Sequence, residues 1–218
     1  MSDGLRYAGR RVIVTGAATG PGAAVARILV DLGAEVHAVD RAEPKVGGLA
    51  SVTRSDLREP AEARAAATRI GSIVNGLFLG ALPTAGAPDP GGLLLDLAAA
   101  RGWIDAVVPH MIEGAAVALL AAPVAAGADP GVDPVAAYVA HGADELAGAG
   151  IRINCVVPEV DRPGATPSAD DCAWPLVFLN SPRAAAVTGQ RLTVGGGPPA
   201  SRAAHRTDPR AMTPERVG

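Results

Sequence analysis

The chain has 218 residues, 49% of them apolar, a length and composition that can bury a full core and that favour a single domain. A formal charge of -3 with dispersed basic residues gives no footing for nucleic acid or an acidic membrane, and Arg6, Arg10 and Arg11 are expected at a solvated edge. No apolar stretch reaches the roughly 18 residues of a membrane span and no signal peptide is evident, so a cytoplasmic protein without membrane contact is expected.

In chain order, Arg11-Val12-Ile13-Val14 predicts a buried strand and Ala23 to Leu32 a helix. Between them lies Thr15-Gly16-Ala17-Ala18-Thr19-Gly20-Pro21-Gly22, a glycine-rich turn at a helix N-terminus. Gly16 permits the turn, Gly20 lets the backbone approach a phosphate, and Gly22 lets helix and strand pack closely. The helix dipole and free N–H groups attract the anion. Pro21 costs nothing there, because the first helical turn has no use for its missing N–H. A second strand, Glu35 to Val39, ends at Asp40, at the distance where a carboxylate meets the adenosine ribose hydroxyls, and Arg41 stands beside it. Strands and helices alternate through the rest, which predicts an α/β chain with a Rossmann-type doubly wound parallel sheet in one domain over 1–197. The segment 198–218, rich in Pro, Arg and Ala, is expected to be a tail. Cys155 and Cys172 lack metal spacing and are expected as packed thiols, with no metal site.

The spacing Thr-Gly-x-x-x-Gly-x-Gly resembles that of the short-chain dehydrogenase/reductase family, and the likeness runs from about Arg10 to Gly197. Asp56-Leu57 resembles the family's adenine-holding pair, and Pro109-His110-Met111 the end of its fourth helix. Gly150 to Asn154 resembles its sixth strand, and Val187 to Gln190 with Gly195-Gly196-Gly197 its seventh. The resemblance implies NAD as cofactor, with NADP less suited because its 2′-phosphate would face Asp40, although Arg41 could partly receive it. The implied binding residues are Thr15, Gly16, Thr19, Gly20, Pro21, Gly22, Asp40, Arg41, Asp56 and Leu57.

The family's chemistry uses an asparagine in the fourth helix, a serine after the fifth strand, and a Tyr-x-x-x-Lys turn opening the fifth helix, with the tyrosine as acid/base. Counting back from Pro109, the asparagine position falls on Asp96. After the fifth strand, Ala115 to Leu120, come Ala121 and Ala122, and no serine or threonine occurs between Met111 and Gly150. The only lysine is Lys45, and the only tyrosines are Tyr7 and Tyr138. Tyr138 has Gly142 four residues on, and with the strands aligned the catalytic turn falls on Ala128 to Val132. Tyr138 is thus expected to be a packed or interface aromatic, and His141, one turn further, a packing residue. On the nicotinamide side, the family's Asn-Asn-Ala-Gly is Leu79-Gly80-Ala81-Leu82, its Pro-Gly is Pro158-Glu159, and its carboxamide-binding threonine has no counterpart in Val160 to Pro163. Too little chain separates that point from the last helix, near Asp170 to Leu179, for the usual substrate lid.

The fourth helix carries Leu93, Leu94, Leu95, Leu97, Trp103, Ile104, Val107, Val108 and Met111, and the fifth is apolar on nearly every face from Val135 to Ala143. In the resembling family these helices pair across a dimer axis, so an oligomer with itself or with an active relative is expected, and a charge at Val139 is expected to break it. The reading is a non-catalytic member that keeps an adenosine and diphosphate half-site. Two alternatives stand beside it: an active NAD-dependent oxidoreductase using Asp96, Tyr138 or His141 in a rearranged site, and a nucleotide-sensing or structural interaction module.

Overall fold

A computed structural model describes residues 5–71, 73–80, 90–122, 124–125, 134–160 and 167–195. The strands are β1 (Arg11–Thr15), β2 (Glu35–Asp40), β3 (Ser51–Arg54), β4 (Val74–Leu79), β5 (Met111–Leu120), β6 (Val124–Ala125), β7 (Arg152–Val160) and β8 (Arg191–Gly195). The helices are α1 (Gly20–Asp31), α2 (Pro60–Ile70), α3 (Pro90–Val107), α4 (Pro134–Ala147) and α5 (Ala169–Asn180). The family's fourth and fifth helices correspond to α3 and α4, and its sixth strand to β7.

All strand pairs are parallel. The order is β3-β2-β1-β4-β5-β7, with β8 on the far edge of β7. The short β6 pairs the end of β7 on the edge opposite β8, since Glu159 faces both Val124 and Gly195. The strand order reverses between β1 and β4, and in a doubly wound sheet a ligand crevice opens beyond the carboxyl ends of the strands at that point. Alternate side chains feed two cores, as the period of two requires. Ile13, Val39, Leu77, Val117 and Ile153 pack under α2, α3 and α4, and Val12, Val14, Val36, Ala118 and Val156 pack under α1 and α5. Both cysteines are buried, Cys155 in the first core and Cys172 in the second.

Among the described residues the alternation of strand and helix fails at two places, between β5 and the short β6 and between β2 and β3. Residues 41–50 carry β2 into β3 with no helix, so β3 is covered thinly and Val52 remains 37% exposed. A groove of about 420 Å³ opens beside α1 in the same region, lined by Arg27, Val30, Asp31 and Val46 among others, and Lys45 stands in it. β5 also begins earlier than its apolar run, at Met111 instead of Ala115, because Ile112, Glu113 and Gly114 extend it past the covered sheet as exposed residues. The expected tail, 198–218, lies outside the described residues.

His37 on β2 is buried against the sheet edge. Its ring is 2.8 Å from Ser51 Oγ and 3.2 Å from Glu35 Oε1, and burial, the largest influence, holds its pKa below the ordinary 6.5. The unfolded chain therefore takes up this proton first. Stability from the neutral ring is present above pH ~6.5 and is lost as pH falls through the lower folded value. Urea midpoints should drop between pH 7.5 and the folded pKa in wild type, and His37→Gln should flatten that part of the profile. An unchanged slope in the variant would assign the acid sensitivity to other groups.

Candidate functional site

At the end of β1 the backbone turns through Gly16 (φ +68), whose N–H donates to the Val39 carbonyl at 3.0 Å and ties the loop to β2. A Cβ on Gly22 would lie 2.1 Å from the Gly16 carbonyl oxygen, so helix and loop touch without room for a side chain. Gly80, just past β4, is similarly close: its Cβ would lie 2.5 Å from the Thr15 carbonyl oxygen. Thr19 is the N-cap residue of α1 but its side chain caps no N–H, leaving the first helical turn without side-chain acceptors. An anion at this helix end would supply them.

Asp40 ends β2 and spans the loop and the next turn. Its Oδ2 accepts the Ala18 N–H at 2.9 Å, and its Oδ1 accepts the Ala42 N–H at 3.0 Å. Asp56, beyond β3, accepts from the backbone N–H of Arg58 (3.1 Å) and from its Nε (3.4 Å), and lies 3.8 Å from the Arg41 guanidinium. These contacts, the Arg58 backbone N–H first, hold its carboxyl below the usual range. The Asp56 N–H in turn donates to the Glu62 carboxylate of α2. Leu57 is buried and its carbonyl accepts the Trp103 indole N–H at 2.9 Å, which pins this corner to α3.

A cavity of about 300 Å³ results, lined by Gly16, Thr19, Gly20, Pro21, Gly22, Asp40, Arg41, Asp56, Leu57 and Arg58. The residues singled out from the sequence for a nucleotide are thus brought to one place, with two differences. Thr15 does not line the cavity: it is fully buried, and its hydroxyl donates to the Phe78 carbonyl (3.4 Å) and accepts the Gly80 N–H (3.2 Å), joining β1 to β4 behind the loop. Arg58 does line it and had gone unnoticed. Its signal was Asp56-Leu57-Arg58 itself, an aspartate whose side chain takes the N–H two residues on. Among the described residues, none of β4, β5 or β7 borders this cavity.

The weak catalytic candidates are scattered. Tyr138 is half-buried on α4, packed against the core, and burial pushes its phenol up to about 12, away from what an acid/base at neutral pH requires. His141 is exposed, 3.5 Å from Glu145. Asp96 belongs to α3, but its side chain, like Ala128 to Val132 and Asp161 to Pro163, lies outside the described residues. Ala121 and Ala122 follow β5 directly and Glu159 stands near the end of β7. Among the described residues, no group of three or more His, Cys, Asp or Glu could hold a metal, and no helix is long and apolar enough to cross a membrane.

No family model matches the chain. A stretch of 43 residues is 56% identical to the L-fucose dehydrogenase of Oryctolagus cuniculus, covering 20% of this chain and 15% of that enzyme. Solved structures agree over much more. The hydroxysteroid dehydrogenase from Escherichia coli superposes with a TM-score of 0.71 at 23% identity, over 91% of this chain and all (100%) of that one. An NADH-dependent reductase solved with NAD gives 0.71 at 21% identity, over 90% and 98%. A short-chain dehydrogenase from Burkholderia cenocepacia solved with NADP gives 0.69 at 22% identity, over 88% and 98%. The glycine loop, the strand order and these superpositions together give this chain the fold of the short-chain dehydrogenases and reductases.

Proposed function

We propose that the chain binds the adenosine and diphosphate part of a nicotinamide dinucleotide and is a non-catalytic member of this family, a pseudoenzyme that serves as a subunit of an oligomer. The observation that carries the reading is that the glycine loop, Asp40 and the Asp56 corner line one cavity, whereas Lys45, the only lysine of the sequence, stands in a separate groove beside α1. The resembling solved enzymes carry NAD or NADP by their own descriptions, which supports a dinucleotide here. NAD is favoured over NADP because a 2′-phosphate would meet the Asp40 carboxylate, with Arg41 and Arg58 softening the preference.

Titration calorimetry and melting curves test the reading. NAD and ADP should raise the melting temperature, by the equivalent of about 2.7 kcal/mol at 100 times the dissociation constant. Steady-state reduction of NAD with secondary alcohols, steroids or hydroxyacyl thioesters should be absent, and Tyr138→Phe should change nothing, because a group that acts as a unit is not repaired by one survivor. Turnover that vanishes in Tyr138→Phe would overturn the pseudoenzyme reading. Absence of heat with any adenine nucleotide at millimolar concentration would make the glycine loop a structural relic.

The partner is a second copy or a catalytically complete relative, docked across α3 and α4 with an interface of roughly 2,000 Å². The place to test this is corrected by the burial pattern. Val139 is fully buried in the chain's own core together with Val135 and Leu146, so a charge at Val139 attacks the fold and not an interface. The outward face of α4 carries Ala137, Ala140, His141, Asp144 and Glu145. It is joined to α3 by the Arg101 to Glu145 ion pair at 2.7 Å. Val139→Asp should cost at least about 3 kcal/mol of stability, as an uncompensated buried charge does. Ala137→Arg should instead lower the mass seen by light scattering while leaving the urea midpoint in place. A wild type that runs as a monomer and recovers no dehydrogenase-like protein from native lysate would remove the subunit role.

A further inference from the structure

We propose that Asp40 is a positioning residue for the phosphate loop, so that affinity for the diphosphate itself depends on it and not only affinity for the ribose. The inference rests on the nucleotide reading above. Both carboxylate oxygens are engaged by backbone N–H groups on either side of the strand end, Ala18 in the loop at 2.9 Å and Ala42 in the following turn at 3.0 Å. The neighbouring Gly16 N–H is held by the Val39 carbonyl at 3.0 Å, so two consecutive residues of β2 grip the loop at two points. The Thr19 hydroxyl adds no cap of its own. The path of the loop from Gly16 to Gly20, and hence the aim of the α1 N-terminus, is thus set from β2. A carboxylate offers about four lone-pair sites, so two accepted N–H groups leave capacity for ribose hydroxyls as well.

The two roles differ in the sign of one measurement. Asp40 is an anion near an anion site, so if it served the ribose alone, Asp40→Ala would leave inorganic pyrophosphate binding unchanged or make it tighter. As a positioning residue, its loss frees the Ala18 N–H and lets the loop depart from the geometry that presents the helix end. Pyrophosphate affinity should then fall by about tenfold or more, the scale of losing one charge-assisted hydrogen bond. Asp40→Asn removes the same charge but keeps a carbonyl oxygen for Ala18, and should return pyrophosphate affinity to within about threefold of wild type.

Calorimetry on the full chain with pyrophosphate, adenosine and ADP separates the outcomes. Weaker pyrophosphate binding in Asp40→Ala, rescued in Asp40→Asn, supports the inference. Unchanged or tighter pyrophosphate binding in Asp40→Ala overturns it while leaving the nucleotide reading intact. Wild type that binds neither ADP nor pyrophosphate overturns the nucleotide reading and the inference together. Should Asp40→Ala fail to fold, amide exchange in the wild type carries the test. The Ala18 N–H should be protected by at least about tenfold relative to a free peptide, as a held amide is; exchange at the free-peptide rate overturns the inference.

Discussion

Gly22→Ala should abolish the proposed nucleotide binding and destabilise the chain by about 3 kcal/mol, the upper end of the range for overpacking. Intrinsic propensity points the other way, since alanine is better than glycine inside a helix by up to about 1 kcal/mol. Sterics decide it. The new Cβ would stand 2.1 Å from the Gly16 carbonyl oxygen, 2.7 Å from its carbonyl carbon and 3.2 Å from the Thr15 carbonyl oxygen. All three are backbone atoms, so no rotamer change relieves the contact. Loop and helix must separate, which takes the α1 N-terminus off the β1 end and removes the close approach that an anion needs. Gly20→Ala is the contrast: Gly20 has φ +56 but nothing within 4 Å of a Cβ, so its substitution costs left-handed strain of about 1–2 kcal/mol without a clash in the free protein. Urea midpoints and ADP calorimetry on both variants would check this. A Gly22→Ala protein with wild-type midpoint and wild-type ADP affinity would mean that helix and loop are not packed as described.

The same contrast explains what could be read from the chain alone. Glycine spacing reports backbone approach directly, so the β1, loop and α1 unit was legible, as was Asp40, whose position follows from the length of one helix and one strand. The doubly wound sheet followed from alternation. The missing helix between β2 and β3 did not, although ten residues, 41–50, are fewer than the dozen or so that a parallel crossover ordinarily takes. Val139 shows another limit: in a helix of alanine and valine the hydrophobic pattern does not say which stripe faces the sheet, and only packing distinguishes Val135, Val139 and Leu146 from the exposed Ala137 and Ala140. Thr15 was assigned to the ligand because it belongs to the motif, yet its hydroxyl is consumed in joining β1 to β4. Polar residues that act through backbone carbonyls leave no periodic trace, and Arg152 is the largest such case.

Arg152→Leu should lower stability by about 3–5 kcal/mol, roughly a fifth or more of what a domain ordinarily has to spare. Arg152 opens β7 and is only 9% exposed, with burial lowering its pKa from the ordinary guanidinium value. Its guanidinium donates to the carbonyls of Leu179 (2.8 Å), Val187 (3.0 Å) and Ser181 (3.0 Å), which gathers the end of α5 and the segment leading to β8 onto one strand. The Val187 carbonyl keeps a second donor in Asn154 Nδ2 (2.9 Å), but no other side-chain donor is seen at Leu179 or Ser181 among the described residues. A leucine would restore the apolar volume and leave those carbonyls buried without that partner. Arg152→Lys should recover only part of the loss, because one ammonium cannot reproduce a planar fork that spans three acceptors. The location gives the test its specificity. Arg152 lies at the amino end of its strand, whereas the glycine loop and Asp40 lie at the carboxyl ends of theirs, so the melting temperature should fall by roughly 6–20 °C while ADP affinity well below that temperature stays at the wild-type value. A variant with an unchanged midpoint would show that water or backbone rearrangement satisfies the carbonyls. One with intact stability but weakened ADP binding would show that the two ends of the sheet are coupled.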